Sequence, residues 1–276
     1  MRADAALALR FAIPSLNRHL RILFAMNASR LFTALPLIGA LALAACNDTA
    51  NGTGEETGAL SGEPVAAVPA PEGTSWTETV QVTDEDGYLL GNPDAPIKVV
   101  EYASLTCGAC AAFAQNGADR LKEDYVSTGR VSFELRNLVR GPDDLILARL
   151  ARCGTTEAFH PLSDQVWKNF EAVVAPVYQR QEAFGQALSG PENRRMVDAA
   201  EVAGYYDFFA QRGVSEDQAR ACLADFSSLE TIAQNSQQQA DELGVTGTPT
   251  FFVNGQRIEG ITFADLEPVL QEAGAR

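Results

Sequence analysis

The sequence predicts an α/β domain interrupted by an all-helical insertion. Three observations carry that expectation: a C-x-x-C pair directly after a β-branched run, about 100 residues with helix starts and little strand signal, and an Asn-Gly hairpin near the C-terminus. The 276 residues are 46% apolar, enough for a sizeable core. The formal charge of −15 is unevenly spread: residues 1–45 hold five arginines and one acid, so the remainder carries −19. An acidic body argues against nucleic-acid binding by charge attraction. One of the two histidines, His19, lies in the basic leader, so a multi-histidine metal site is excluded for the folded part.

Taken in order, residues 1–45 read as a signal peptide. The run from Leu31 to Ala45 is apolar, too short to span a bilayer, and ends in small residues. Met26, followed by one basic residue and this run, is an alternative start. The arginine-rich first 25 residues also fit part of an organelle transit peptide. Leu43-Ala44-Ala45-Cys46 resembles the lipobox of bacterial lipoproteins, which favours export and makes Cys46 the expected lipidation site; an ordinary cleaved signal with a free Cys46 is the bland reading. Two acyl chains on that thiol would anchor the protein to membrane lipid without a spanning helix. Residues 46–75 lack aromatic and basic residues and are rich in Gly and Pro, so they read as a lipidated, disordered tether.

The body is expected over residues 76–276. Val80 and Val82 alternate in a first strand, Asp84 to Pro96 is turn-rich, and Ile97 to Tyr102 is a second strand. Cys107 to Tyr125 reads as one helix, with Cys110, Phe113, Ala114, Gly117, Leu121 and Tyr125 on one side. A third strand follows at Arg130 to Val139. The helical insertion occupies about residues 142–243, with a Ser215-x-x-Gln218 capping box and Gly244 as its stop. Thr250 to Val253, Asn254-Gly255 and Gln256 to Ile258 form a type I′ hairpin, and Thr262-x-x-Asp265 opens a closing helix. No internal repeat is present.

The chemistry lies at Cys107-Gly108-Ala109-Cys110. A cysteine at a helix N-terminus meets unpaired N–H groups and about half a positive charge, which favour its thiolate. Cys110, three residues on, can resolve a mixed disulfide formed by Cys107. Zinc needs four ligands and no second C-x-x-C follows; haem attachment needs a histidine where Ala111 stands. An inert structural disulfide stays open on the motif alone.

Tyr102 to Cys110, preceded by Gly91-Asn92-Pro93-Asp94-Ala95-Pro96, resembles the active-site region of the DsbA-like branch of the thioredoxin superfamily. Gly247-Thr248-Pro249-Thr250 is similar to that family's cis-proline loop. The resemblance covers about residues 76–276 and implies a thioredoxin-like fold with an inserted all-helical subdomain. It makes Cys107 the attacking and exposed cysteine, Cys110 its buried partner, Pro249 the cis-proline, and Thr248 a substrate-binding residue. It also places a buried proton-carrying acid at Glu101, for which the bland reading is a solvent-facing or lysine-paired glutamate. No basic partner for Glu101 stands out in the sequence. His160, far from the C-x-x-C in sequence, reads as a surface or capping residue without a role.

The function expected is a membrane-tethered thiol-disulfide oxidoreductase on the periplasmic side of a bacterial envelope. It would oxidise thiols of exported proteins without a diffusible cofactor, and the resemblance suggests a DsbB-type membrane reoxidant. The alternatives are an isomerase or reductase on the same fold, or a redox-silent peptide-binding lipoprotein. Subtracting Cys46 and the active pair from five cysteines leaves Cys153 and Cys222, which an oxidising compartment and their inward-facing helical positions predict to be disulfide-bonded. Gly108 and Ala109 supply no thiolate donor. The expected potential therefore lies between about −120 mV, where strong oxidants of this kind stand, and about −270 mV for thioredoxin.

Overall fold

The computed structural model describes residues 62–276; the expected signal segment, Cys46 and the first part of the expected tether lie outside the described residues. Among the described residues, six strands form one sheet: β1 (Val80–Val82), β2 (Tyr88–Gly91), β3 (Ile97–Ala103), β4 (Val131–Asn137), β5 (Thr250–Val253) and β6 (Gln256–Arg257). Their order is β1-β2-β4-β3-β5-β6, with β3 and β4 parallel and the other pairs antiparallel. β3 and β4 lie in the middle and are buried over most of their length; β3 reads as a β-branched run, and β4 as an alternation of Val131, Phe133 and Leu135 with Ser132, Glu134 and Arg136. β2 departs from the turn-rich reading of this region. Its four buried residues sit between Asp86-Gly87 and Asn92-Pro93, and turn formers on both sides hide so short a strand.

The crossover from β3 to β4 is made by α1 (Gly108–Asn116), α2 (Ala118–Arg120) and a π turn at Leu121–Tyr125. The single helix expected here is broken at Gly117. A Cβ at that position would lie 2.5 Å from Cβ of Phe263, so the chain bends around the aromatic ring. The insertion is helical throughout: α3 (Pro142–Ala151), α4 (Phe159–Lys168), α5 (Phe170–Gln179), α6 (Gln181–Leu188), α7 (Glu192–Ala203), α8 (Tyr205–Ala210), α9 (Glu216–Ala224) and α10 (Phe226–Leu243). Ser215 accepts from the Gln218 amide at the start of α9, and Gly244 in the left-handed region ends α10. Asn254 and Gly255, both with positive φ, make the hairpin turn between β5 and β6. The last helix, α11 (Phe263–Glu272), starts on a capping box between Thr262 and Asp265.

The main core joins one sheet face (Val99, Ala103, Phe251) to α1 (Cys110, Phe113), α3 (Ile146, Leu150) and α11 (Leu266, Leu270). On the other face Tyr102 and Phe252 pack with Val245, and Ala240 of α10 closes over them. Cys153, just after α3, and Cys222 of α9 are joined by a disulfide with Cα atoms 6.0 Å apart.

Residues 62–75 differ from the disordered tether expected there. They form an extended arm on the body, with Gly62 N–H donating to the Glu272 carbonyl, Val65 N–H to Gly274 and Val68 N–H to Thr128. Arg130 and the Trp76 indole donate to the Val65 and Val68 carbonyls at 2.7 and 2.8 Å. Composition misses this arm because its main chain, rather than its side chains, makes the bonds. Gly129, at φ 68, permits the approach, since a Cβ there would sit 2.3 Å from the Val68 oxygen. No helix among the described residues is long and apolar enough to cross a membrane.

Candidate active site

β3 ends at Ala103, and Ser104-Leu105-Thr106 carries the chain to Cys107, which is the N-cap residue of α1. This loop is held from three sides. Leu105 and Arg140 amides donate to the two oxygens of Asp144 at 2.8 and 2.9 Å, and the Trp167 indole donates to the Ser104 carbonyl at 3.1 Å. Asp144 is buried, which pushes its carboxyl up to about 6 against the opposing effect of the bonds it accepts from Ser104, Arg140 and Leu105. Asp144 and Trp167 belong to the insertion, and nothing in the local sequence marks them as partners of the active-site loop.

Cys107 and Cys110 are free thiols, and both are buried: Cys107, expected to be exposed, is only 4% so because the Thr248 carbonyl lies against its Sγ. In its thiol form Cys107 Sγ donates to the Thr248 carbonyl oxygen at 3.2 Å. In the thiolate form the donors are the Cys110 thiol first, then the Thr248 hydroxyl and the amides of Cys110 and Ala109; together they outweigh burial and lower the Cys107 thiol to about 5. The Thr248 hydroxyl is buried and without a partner while Cys107 is a thiol, so it is available for that bond. Thr248 thus supplies a donor that Gly108 and Ala109 lack. Cys110 is fully buried, and desolvation, the bond it donates to Cys107 and the nearby Glu101 all raise its thiol far above the ordinary range.

The peptide bond between Thr248 and Pro249 is cis, and it brings the loop before β5 against Cys107. Glu101 alternates with Val99 and Ala103 onto the sheet face that α1 covers. It is 1% exposed, its Oε1 has no hydrogen-bond partner, and burial raises its carboxyl to about 8. A basic group that the sequence reading did not find stands near it: Lys122, from the π turn, lowers the value. His160 is a further correction. It is buried rather than superficial, with Nε2 donating to the Tyr88 carbonyl at 2.9 Å, and burial holds it neutral by lowering it to about 3.

The structure therefore brings Cys107, Cys110, Thr248, Pro249 and Glu101 together, and sets the Cys153–Cys222 disulfide apart from them in the insertion. Between α1, from Ala109 onward, and the segment leading into α11 lies a groove of about 380 Å³ lined by Ala109, Phe113, Ile261 and Phe263. No group of three or more His, Cys, Asp or Glu that could hold a metal occurs among the described residues. A low thiol at a helix start, a high thiol beneath it and a proton-holding acid are the parts a dithiol–disulfide exchanger requires.

A protein-family model described as Thioredoxin matches residues 83–272. A Rickettsia bellii protein with the provisional name protein-disulfide oxidoreductase is 27% identical over 204 residues, 74% of this chain and 70% of its own length. Disulfide bond formation protein D of Bacillus subtilis is 22% identical over 191 residues, covering 66% of this chain and 72% of its own. Among solved structures, the protein-disulfide isomerase of Novosphingobium aromaticivorans superposes with a TM-score of 0.64 at 29% identity, covering 68% of this chain and 97% of that one. Wolbachia pipientis alpha-DsbA1 shares the fold, with a TM-score of 0.55 at 22% identity over 67% of this chain and 89% of its own. With the matched model spanning more than half its length and the paired thiols at the start of α1, the chain belongs to the DsbA-like thiol-disulfide oxidoreductases of the thioredoxin superfamily.

Proposed function

We propose that this protein oxidises thiols of exported proteins to disulfides through Cys107 and Cys110. The observation that carries the reading is the split between the two thiols, one lowered to about 5 and the other raised by burial. A stabilised Cys107 thiolate favours the reduced enzyme, and this makes its disulfide a good oxidant. A substrate thiolate attacks Sγ of Cys107 in the disulfide, and Cys110 leaves as a thiolate that takes the proton held by Glu101. A second substrate thiolate then attacks the substrate sulfur of the mixed disulfide, closing the substrate disulfide and releasing Cys107 as a thiolate. The apolar groove lined by Ala109, Phe113, Ile261 and Phe263 suits unfolded, extended chains, with Thr248 and Pro249 as backbone neighbours of the docked segment. Reoxidation needs a disulfide-bearing acceptor, in this reading a DsbB-type membrane partner. Lipid attachment at Cys46 would keep the enzyme on the periplasmic side of the envelope, as the lipobox suggests.

The likeness to the Novosphingobium protein-disulfide isomerase favours a second reading, disulfide isomerase. One experiment separates them. Oxidised enzyme is mixed with a reduced, unfolded multi-cysteine protein, and reduced enzyme with the same substrate carrying scrambled disulfides. An oxidase consumes substrate thiols stoichiometrically and leaves scrambled bonds largely untouched; an isomerase does the reverse. Cys107→Ser should abolish both reactions, and Cys110→Ser should accumulate the mixed disulfide. Inertness of the unaltered protein in both assays overturns the exchange reading.

A further inference from the structure

Gly108, directly after the reacting cysteine, is a glycine that the fold does not ask for. Its backbone lies outside the left-handed region, and the nearest atoms an added Cβ would meet are Cε1 and Cζ of Phe170, at ordinary contact distances of 3.8 and 4.0 Å. Alanine would lose less backbone entropy on folding. What the missing Cβ leaves open is part of a hollow of about 450 Å³ between α1 and the start of α5, with Gly108, Ala111 and Ala112 on one side and Phe170 on the other. The position of Phe170 relative to the active site is fixed through Trp167, near the end of α4. The Trp167 indole donates to the Ser104 carbonyl at 3.1 Å, and the Trp167 carbonyl accepts from the Gln115 side chain of α1 at 2.7 Å. The Phe170 ring is half-buried against the main core, and its Cε1–Cζ edge faces the space over Gly108. Ala109 instead lines the apolar groove toward α11, and Ala112 borders both recesses, so the start of α1 is a ridge between them.

We propose that the recess between Gly108 and Phe170 is a substrate subsite for an aromatic side chain flanking the reacting cysteine, with Phe170 as its specificity-determining residue. This rests on the exchange reading above. A substrate sulfur bonded to Sγ of Cys107 brings its own chain to within a residue or two of Gly108, because consecutive Cα atoms are only about 3.8 Å apart. A flanking side chain therefore settles on one side of the ridge or the other. Over Gly108 it meets a backbone that it can approach closely and the edge of a phenyl ring. A second ring with its face toward that edge gains the attraction of an edge-to-face pair, which an aliphatic side chain does not. Lys168 and Glu171 border the same recess with opposite charges, so it selects neither sign of charge.

The test is a competition. Oxidised full-length protein is offered two reduced peptides together, each with two cysteines on a flexible linker, one with Phe and the other with Ala immediately before each cysteine. A second pair carries Phe or Ala immediately after each cysteine. Mass spectrometry follows the loss of each reduced peptide and gives the ratio of their kcat/KM values. The Phe peptide should be preferred about two- to tenfold on one of the two flanks. In Phe170→Ala, which removes the ring, and in Gly108→Ala, which places a methyl group in the space, that ratio should fall close to one. Both peptides meet the same Cys107, so a change in its thiolate energy or in overall stability cancels in the ratio. Ratios near one on both flanks in the unaltered protein overturn the subsite. A preference that survives in either variant also overturns it, and assigns the aromatic side chain to the groove between α1 and α11. If Phe170→Ala does not fold, Gly108→Ala decides alone. Failure of the oxidised protein to consume either peptide would instead overturn the exchange reading.

Discussion

Replacing Glu101 by Gln removes a buried acid while keeping its shape, and the structure sets the size of the effect. Burial moves its carboxyl from 4.5 to about 8, so between those values the folded protein holds a proton that the unfolded chain releases. Stability from this group is therefore fully present below about pH 4.5 and is lost as pH rises through about 8. At about 1.4 kcal/mol per pH unit, the loss reaches on the order of 4 kcal/mol at pH 8. Glu101→Gln has no such loss. Urea unfolding of the reduced protein at pH 5, 6, 7 and 8 should show the two proteins close together at the lowest pH and the variant progressively the more stable. The same variant should resolve mixed disulfides more slowly, because the Cys110 thiol, itself raised by burial, loses its base. Parallel stability curves would mean that Glu101 titrates as an ordinary carboxylate, and the reasoning from its burial would be wrong.

Thr248→Val deletes the one side-chain hydroxyl that can donate to the Cys107 thiolate, so the thiol should titrate above about 5, which the pH dependence of iodoacetamide alkylation will read. Ala109→His should add a donor beside that thiolate and make the protein more oxidising against glutathione; an unchanged equilibrium would show that Thr248 and the helix amides already set the thiolate energy. Replacing Cys153 and Cys222 together by Ala opens a loop of 69 residues and should lower unfolding stability by up to about 4 kcal/mol while leaving exchange at Cys107 intact. Trp76→Ala removes the buried ring that pins the N-terminal arm through the Val68 carbonyl, and about 3 kcal/mol of stability should go with it in the same urea assay.

Local chemistry made much of this protein readable from its residues. The Asn-Gly turn, the Thr262–Asp265 cap and the Cys107 position at a helix start each depend on a few neighbouring residues, and each stands where its motif placed it. The central strands were legible because β-branched residues mark β3 and the apolar alternation Val131, Phe133, Leu135 marks β4. What the sequence could not show are the features that depend on distant segments meeting. β2 is a strand because β1 and β4 pair with it, not because four residues between turns prefer one. The arm 62–75 is ordered by main-chain bonds to residues up to 210 positions away, and main-chain bonding leaves no mark on composition. Asp144 steadies the active-site loop from 39 residues further along, and the Thr248 carbonyl accepts from Cys107 across 141. Glu101, Lys122 and Asp164 stand far apart in the sequence, and only folding brings their charges to bear on one another. Proton affinity at a buried group is set by desolvation and by the charges that face it, which are properties of the packed tertiary structure rather than of any local pattern.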